Sequence, residues 1–317
     1  MVETGTSLVV SLPSDGGLKD ALGEVPGVEF EHWDLDGPPP RAHIDIVVAP
    51  YLNGNEALAA LADVETRLLQ WQSIGYNGVE EYLPAGTPFA NATTVHETST
   101  AELALALALA AQRGIPEFVR SAETHDWRPR FFTSLADRRV LLVGYGGVGK
   151  AVEARLAGFE TVVDRVARTA RTDRNLAGEE VPVRGFAELR TALGEADVVI
   201  LGVPLTDETR GLIDAEALAA MPDGALLVNV ARGPVVDTDA LVAELRTGRL
   251  RAALDVTDPE PLPADHELWD CPNLLITPHV GGDSSAMLPR ISALILRQIE
   301  RMRAGLPPEN LIELPRA

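Results

Sequence analysis

The sequence predicts an α/β protein built from two doubly wound parallel-sheet domains. Short apolar runs alternate with helical stretches along the chain, which is typical of βαβ units. The chain has 317 residues, more than one hydrophobic core of ordinary size holds, so about two domains are expected. A glycine-rich turn at residues 144–149 joins an apolar run to an amphipathic one, as in nucleotide-binding sheets.

In the first part of the chain, the predicted strands are SLVVSL, IDIVVAP and LLQWQSIG at residues 7–12, 44–50 and 68–75. A helix is predicted to follow over residues 97–113. Leucine alternates with alanine in its ELALALALAA segment, and alternation alone would favour a strand. The length and the alanine content instead favour a helix that is buried on several sides.

The second part of the chain supplies another set of strands, each followed by a helix or a loop. The runs are RVLLV, TVVDRVAR, ADVVILGVP, GALLVNVARG, RAALDVTD and NLLITPHVGG. After TPHVGG comes only a long amphipathic stretch at residues 284–305, with apolar positions at Ile291, Leu294, Ile295 and Ile299. This closing helix is expected to pack on the N-terminal domain, which makes that domain discontinuous.

Composition excludes several classes of partner. The net charge is −20, from 47 acidic against 27 basic residues, and such a surface repels nucleic acid and anionic lipid. Cys271 is the one cysteine, so no intrachain disulfide is possible. No segment reaches the roughly 20 apolar residues of a membrane span, and we expect a cytoplasmic protein. No His/Cys/Asp cluster has the spacing of a metal site.

Three later motifs place one arginine, one glutamate and one histidine in separate loops at strand ends. They are NVARGPVVD with Arg232, DVTDPEP with Glu260 and TPHVGG with His279. Such a trio can grip a 2-oxo acid and exchange a proton with its oxygen. The upstream turn VGYGGVG has G-x-G-x-x-G spacing, in which backbone amides and a helix N-terminus can cradle a pyrophosphate. Together these features indicate a nucleotide-dependent redox enzyme.

The order of these motifs resembles that of the D-isomer specific 2-hydroxyacid dehydrogenase family. The resemblance rests on the glycine motif, VPLTDETRGLI, NVARGPVVD, DVTDPEP and TPHVGG, and covers residues from about 90 to 283. It implies a flavodoxin-like substrate domain at residues 1–98 and 284–317, and a Rossmann NAD(P)-binding domain at residues 99–283. It also implies a homodimer formed through the nucleotide domain, and a substrate that is a small 2-oxo or 2-hydroxy acid.

The resemblance gives each residue of the trio a role. Arg232 would bind the substrate carboxylate through two parallel hydrogen bonds and polarise the carbonyl. His279 would give a proton to the carbonyl oxygen in reduction and take it back in oxidation, since imidazole titrates near neutrality. Glu260 would hold the far nitrogen of that imidazole, fixing its tautomer and favouring its protonated form.

The resemblance also assigns binding residues. Those expected at the cofactor are Thr100, Gly144, Tyr145, Gly146, Gly147, Val148, Gly149, Arg168, Thr169, Arg171, Val203, Pro204, Thr209, Val230, Ala231, Arg232, Asp255, His279 and Gly281. Those expected at the substrate are Ile74, Gly75, Tyr76, Arg232 and His279. Ile74 and Gly75 would offer backbone amides to the substrate carboxylate, whereas Tyr76 either shapes the pocket or merely packs. Asp255 would lie near the nicotinamide carboxamide.

Cofactor preference depends on the residue that meets the adenosine ribose. A count of about 20 residues from Gly144 reaches Asp164, which would signal NAD. The family register, started from the aromatic Phe159, instead puts Ala167 at the ribose-binding position. Ala167 cannot hold a diol, and the following RTAR offers charge and hydroxyl groups to a 2′-phosphate. We therefore expect NADP(H) to be preferred, with Arg168 as the main contact and NAD(H) possible. A solvated basic loop is the alternative.

Other functions remain open on the same fold. Phosphite dehydrogenases resemble this family but place a lysine in the loop that here reads SIGYNG, which has none. Formate dehydrogenases pair the histidine with glutamine, whereas this chain has Glu260. Both differences disfavour those substrates. A non-catalytic, NAD(H)-sensing corepressor would share Arg232, Glu260 and His279, but such proteins carry extra tails and peptide-binding surfaces.

Overall fold

The structure is a computed structural model that describes residues 7–14, 16–51 and 53–314. It divides into two compact units. The N-terminal unit comprises the described residues up to His96 together with those from Ser284 onward. The central unit comprises Glu97–Asp283.

The elements are numbered in chain order. The strands are β1 (Leu8–Leu12), β2 (Val28–His32), β3 (His43–Val48), β4 (Glu65–Gln70), β5 (Phe89–Ala90), β6 (Arg139–Val143), β7 (Val162–Ala167), β8 (Arg171–Arg174), β9 (Glu180–Gly185), β10 (Val198–Leu201), β11 (Leu226–Asn229), β12 (Arg251–Leu254) and β13 (Leu274–Ile276). The α-helices are α1 (Leu18–Leu22), α2 (Glu97–Gln112), α3 (Ile115–Glu123), α4 (Gly147–Leu156), α5 (Leu189–Gly194), α6 (Ala215–Ala220), α7 (Thr238–Thr247) and α8 (Met287–Arg303). Short 3₁₀ helices lie at Asn55–Asp63, Val79–Glu81, Phe186–Glu188, Gly233–Val235 and Glu267–Asp270.

The N-terminal unit contains a parallel sheet in the order β2-β1-β3-β4-β5. This is the 2-1-3-4-5 order of flavodoxin-like folds, as predicted. One face packs against α1 and α8, and the periodic apolar positions of α8 are buried there: Ile291, Leu294, Ile295 and Ile299. The side chains of the other face, Phe89 among them, form a second cluster with Trp33.

Two details of this sheet differ from the sequence prediction. The strand predicted over residues 68–75 is β4, which ends at Gln70, and residues 71–76 form a loop instead. In this loop the carbonyl oxygens of Gly75 and Ile74 accept side-chain hydrogen bonds, from Trp71 and Asn91. Strand β2 was not predicted, because an edge strand that reads VEFEH carries too few apolar residues to stand out.

The central unit contains a sheet in the order β13-β12-β11-β10-β6-β7-β9-β8, parallel except for the β8–β9 pair. Within this sheet, β6 is the first strand in the sequence. Strands β7 and β9 follow on one side of it, and β10, β11, β12 and β13 follow in order on the other side. This is the doubly wound Rossmann arrangement that the sequence predicted. The prediction of a helix for the Leu-Ala segment is confirmed by α2, whose Ala101, Ala104, Leu105 and Ala108 are buried.

No strand was predicted at residues 171–174, but they form the edge strand β8, which pairs antiparallel with β9. A hairpin closed around Asn175 and Gly178 makes this possible: Asn175 Oδ1 accepts the Ala177 and Glu179 amides. Across the described ranges, no helix is long and apolar enough to cross a membrane.

Candidate functional site

The glycine-rich turn lies between β6 and α4, at the centre of the sheet. Gly144 has φ +101°, and a β-carbon there would stand 2.6 Å from the backbone carbonyl carbon of Gly202. Only glycine fits this position. At Gly146 no heavy atom lies within 4 Å of the β-carbon position, so a ligand has room to reach the backbone. Helix α4 begins at the next residue and directs its N-terminal amides toward that space, which fits a pyrophosphate.

The side chain of Tyr145 supports this turn from inside the protein. Tyr145 is buried, and its hydroxyl donates to the carboxylate of Glu153 on α4. Arg165 of β7 donates to the same carboxylate, from Nε at 3.0 Å. Burial and the bond to Glu153 raise the pKa of Tyr145 to about 12. The Tyr145 hydroxyl is therefore engaged in tying the turn to α4 and β7.

The end of β7 lies beside the turn, since the Gly144 amide donates to Val166 O at 2.8 Å. Asp164 pairs in register with Leu141, inside the strand, and its Oδ2 accepts Arg139 Nη2 at 2.8 Å. Asp164 is thus a structural ion-pair partner. Ala167 occupies the last position of the strand and offers no polar atom beyond its backbone.

The basic residues after β7 are held in place by acidic partners. The exposed Arg168 pairs with Glu208, Nε to Oε2 at 2.6 Å. Arg171 Nη2 donates to Tyr145 O in the glycine turn at 3.0 Å and pairs with Asp173 at 2.9 Å.

Lys150, which follows the last glycine of the turn, also pairs with Asp173 at 2.8 Å. The hydrogen bond from Lys150 is the main cause that lowers the pKa of Asp173 to about 2. Sequence reasoning missed Lys150 and Asp173, since only the β8–β9 hairpin brings them together.

The loop after β10 carries Val203, Pro204 and Thr209. Thr209 is buried, and its hydroxyl donates to Pro204 O at 2.7 Å while accepting the Thr206 amide at 2.8 Å. Thr209 therefore shapes this turn with its side chain. Val203 is buried, whereas Pro204 is exposed.

The NVARG loop leaves the end of β11 and is shaped by Asn229. The Asn229 side chain accepts the Ala231 amide and donates to Arg232 O, both at 3.0 Å. A β-carbon on Gly233 would stand 1.8 Å from Thr257 O. Glycine thus lets this loop press against the loop that follows β12. The half-buried Arg232 donates from Nη1 to Ala231 O at 2.7 Å.

His279 and Glu260 form a direct pair, Nδ1 to Oε1 at 2.5 Å. Their side chains are 41% and 39% exposed, so the pair is reachable from solvent. Burial raises the pKa of Glu260. The hydrogen bond from His279 and the charges of His279 and Arg232 lower it by more, so the net pKa lies below the ordinary value. Glu260 is therefore ionised near neutral pH. With Nδ1 engaged, Nε2 is the imidazole nitrogen left for a ligand.

Asp255, at the end of β12, holds the TPHVGG loop. It is buried, its Oδ1 accepts Thr277 Oγ1 at 2.6 Å and the Val280 amide at 2.9 Å, and its Oδ2 accepts the Gly281 amide at 2.9 Å. The loop bends so sharply that His279 adopts φ +55°.

Thr100 of α2 meets the same loop, donating to Gly281 O at 3.3 Å. These bonds fix the His279 backbone. That Asp255 also contacts a carboxamide stays a prediction.

The predicted substrate loop belongs to the N-terminal unit and is braced from behind. Trp71 Nε1 donates to Gly75 O at 3.0 Å, and Asn91 Nδ2 donates to Ile74 O at 2.9 Å. Among the residues that the structure describes, no acceptor bonds the amides of Ile74 and Gly75. Tyr76 packs edge-on against Phe89, with ring centroids 5.9 Å apart. Trp71 and Asn91 were not singled out from the sequence, which gives no signal for such a brace.

Comparison with known proteins finds one family. The model of the D-isomer specific 2-hydroxyacid dehydrogenase, NAD binding domain, matches residues 105–281. The glyoxylate reductase of Pyrococcus furiosus is 34% identical over 258 residues, which cover 78% of this chain and 75% of that protein. The glyoxylate reductase of Thermofilum pendens is 31% identical over 297 residues, which cover 89% of this chain and 87% of that protein.

Two solved structures share the fold along almost the whole chain. One is an NADPH-dependent glyoxylate/hydroxypyruvate reductase from Sinorhizobium meliloti in complex with NADP and sulfate. It has a TM-score of 0.80 and 25% identity, and the match covers 97% of this chain and 98% of that one. The other is a D-isomer specific 2-hydroxyacid dehydrogenase from Xanthobacter autotrophicus Py2 in complex with NADPH and MES. Its TM-score is 0.78 at 28% identity, with 98% of both chains covered.

Proposed function

This chain belongs to the D-isomer specific 2-hydroxyacid dehydrogenase family and is an NAD(P)-dependent oxidoreductase, and we propose that it reduces a small 2-oxo acid to the D-2-hydroxy acid. The observation that carries the proposal is the bond between His279 and Glu260. Glyoxylate and hydroxypyruvate are the first candidate substrates, because several relatives are glyoxylate reductases.

Arg232 would grip the substrate carboxylate and polarise the neighbouring carbonyl. Its fork of N–H groups matches a planar carboxylate, which a lysine ammonium does not. Gly233 keeps the Arg232 loop pressed against the loop that carries Glu260, so both groups come from backbone of fixed geometry. The lowered pKa of Glu260, to which the Arg232 charge contributes, supports a site in which cationic and anionic groups are close.

His279 would handle the proton. The cofactor, when bound, supplies the hydride that adds to C2 of the acid. Nε2 of His279 would give its proton to the carbonyl oxygen, leaving a neutral imidazole, and would take the proton back when the hydroxy acid is oxidised. Glu260 remains ionised throughout and holds Nδ1–H, which stabilises the imidazolium and aims Nε2.

The amides of Ile74 and Gly75 would complete carboxylate binding. They carry no bond from the described residues, while their own carbonyls are anchored by Trp71 and Asn91. Two unbonded amides next to each other would offer two donors to an oxyanion. Tyr76 would line the pocket with the part of its ring that does not pack on Phe89.

NADP(H) is the preferred cofactor in this proposal, with NAD(H) accepted. Ala167 ends β7 where a ribose-binding acid would stand, and Arg168 follows it with an exposed guanidinium. Thr169 and Arg171 would add a hydroxyl and a second charge, and Arg171 already contacts the glycine turn. Steady-state kcat/KM with each cofactor tests this preference, and a tenfold or larger preference for NADH would reject it.

We propose that the active form is a homodimer joined through the central unit. No residue of α3 is buried, although one of its faces is apolar. Trp127 and Phe131, which follow it, are 96% and 107% exposed in the single chain. Apolar surface of this kind is what a second copy would cover. Sedimentation velocity should give a dimer, and Val119→Asp with Trp127→Ser should shift it to monomer; a monomeric wild type would contradict the proposal.

Turnover assays separate the proposed reaction from its alternatives. Glyoxylate, hydroxypyruvate and a panel of branched and aromatic 2-oxo acids are compared with phosphite and formate under both cofactors. A corepressor-like protein would bind NADH yet turn over none of them. A cytoplasmic location accords with the single cysteine and stays a prediction.

A further inference from the structure

The ion pair between Arg168 and Glu208 joins the two segments that flank the glycine turn. In the sheet, β6 lies between β7 and β10, and the turn follows β6. Arg168 comes directly after β7, and Glu208 lies in the loop after β10. Their bond of 2.6 Å therefore links the segments on either side of the turn, at the carboxyl edge of the sheet.

Glu208 is presented by a rigid turn. The buried Thr209 bonds Pro204 O and the Thr206 amide, and the amides of Thr209 and Arg210 both donate to Thr206 O, at 3.0 and 2.9 Å. The backbone on both sides of Glu208 is thus fixed. The turn therefore keeps the Glu208 backbone near Arg168, and the carboxylate reaches the guanidinium from there.

We propose that Glu208 is a specificity-determining residue that competes with the cofactor 2′-phosphate for Arg168. The proposal rests on the proposed role of Arg168 in binding NADP(H). The two side chains are 58% and 61% exposed, and exposed ion pairs are weak, so a phosphate carrying about two charges can displace the carboxylate. NADH lacks the phosphate and leaves the ion pair intact. Glu208 therefore weakens the binding of NADPH but not that of NADH, and so reduces the preference for NADPH.

The test compares Glu208→Gln with a matched control, Asp207→Asn. Both variants remove one negative charge from the same turn, but Asp207 is exposed and forms no ion pair within the described part of the chain. Glu208→Gln should raise the ratio of kcat/KM for NADPH to that for NADH about threefold to tenfold. Asp207→Asn should change the ratio less than twofold. Equal effects of the two variants, or no effect of Glu208→Gln, would overturn the proposal.

A double-mutant cycle separates this inference from the cofactor preference itself. The change that Glu208→Gln causes in NADPH affinity, measured by fluorescence titration, should shrink to less than twofold in an Arg168→Ala background. If the same change persists without Arg168, Glu208 does not act through it and the inference fails. If wild type favours NADH, the proposed preference fails, while the cycle still decides whether the two residues compete as described.

Discussion

Gly233→Ala should disable the enzyme without unfolding it. The added β-carbon would stand 1.8 Å from Thr257 O and 2.7 Å from Asp258 N. An ordinary contact needs 3.4 Å, so the two loops must separate by about 1.6 Å (3.4 − 1.8). That displacement falls on the residue next to Arg232, and a misplacement of about 1 Å can cost 10²-fold in rate.

We therefore expect kcat/KM for glyoxylate to fall at least about 100-fold in Gly233→Ala. Overpacking of this kind costs roughly 1–3 kcal/mol of stability, so the thermal midpoint should drop while the far-UV circular dichroism spectrum is retained. Gly158→Ala is the control, because no heavy atom lies within 4 Å of its β-carbon position. A folded Gly233→Ala variant with kcat/KM within threefold of wild type would refute the argument that this contact positions Arg232.

Four further substitutions test the site. His279→Gln should lower kcat by about 10²–10⁴-fold with cofactor affinity nearly unchanged, and a near-normal kcat at pH 7 would exclude His279 as the proton donor. Arg232→Lys should raise KM and lower kcat together; unaltered kinetics would contradict the carboxylate clamp. Glu260→Gln should lower kcat less than His279→Gln does. The reductase activity that is lost as pH rises should be lost at a lower pH in this variant. Since the pKa of Glu260 lies below its ordinary 4.5, Glu260 itself should not titrate between about pH 5 and 8. Asn91→Ala should raise KM for the acid more than it lowers kcat, and Asn91→Gln should restore KM. An unchanged KM in Asn91→Ala would exclude a role of the Asn91–Ile74 bond in substrate binding.

Motifs that act through their own backbone could be predicted from the sequence. The glycine turn is such a case, because Gly144 needs its positive φ whatever surrounds it. The pairing of His279 with Glu260 could be predicted only through the family resemblance, since 19 residues separate them. The α2 helix was predicted against its alternating pattern, because alanine and length outweighed it.

What the sequence did not reveal depends on tertiary partners. Asp173 meets Lys150 only because β8 folds back on β9, and RTDR carries too little apolar character to predict a strand. The bond from Asn91 to Ile74 O joins residues on either side of β5. Neither arrangement has a local periodicity, so neither can be read from spacing.

The delivery of Arg232, Glu260 and His279 by three successive strand ends has an evolutionary consequence. Strands β11, β12 and β13 are neighbours in one sheet, and the loops after them carry all three residues proposed for substrate binding and proton transfer. A lineage can therefore inherit these three residues together, as parts of one sheet. On the proposed roles, substitutions in the predicted substrate loop at residues 74–76 would then change which acid is accepted and leave Arg232, Glu260 and His279 in place.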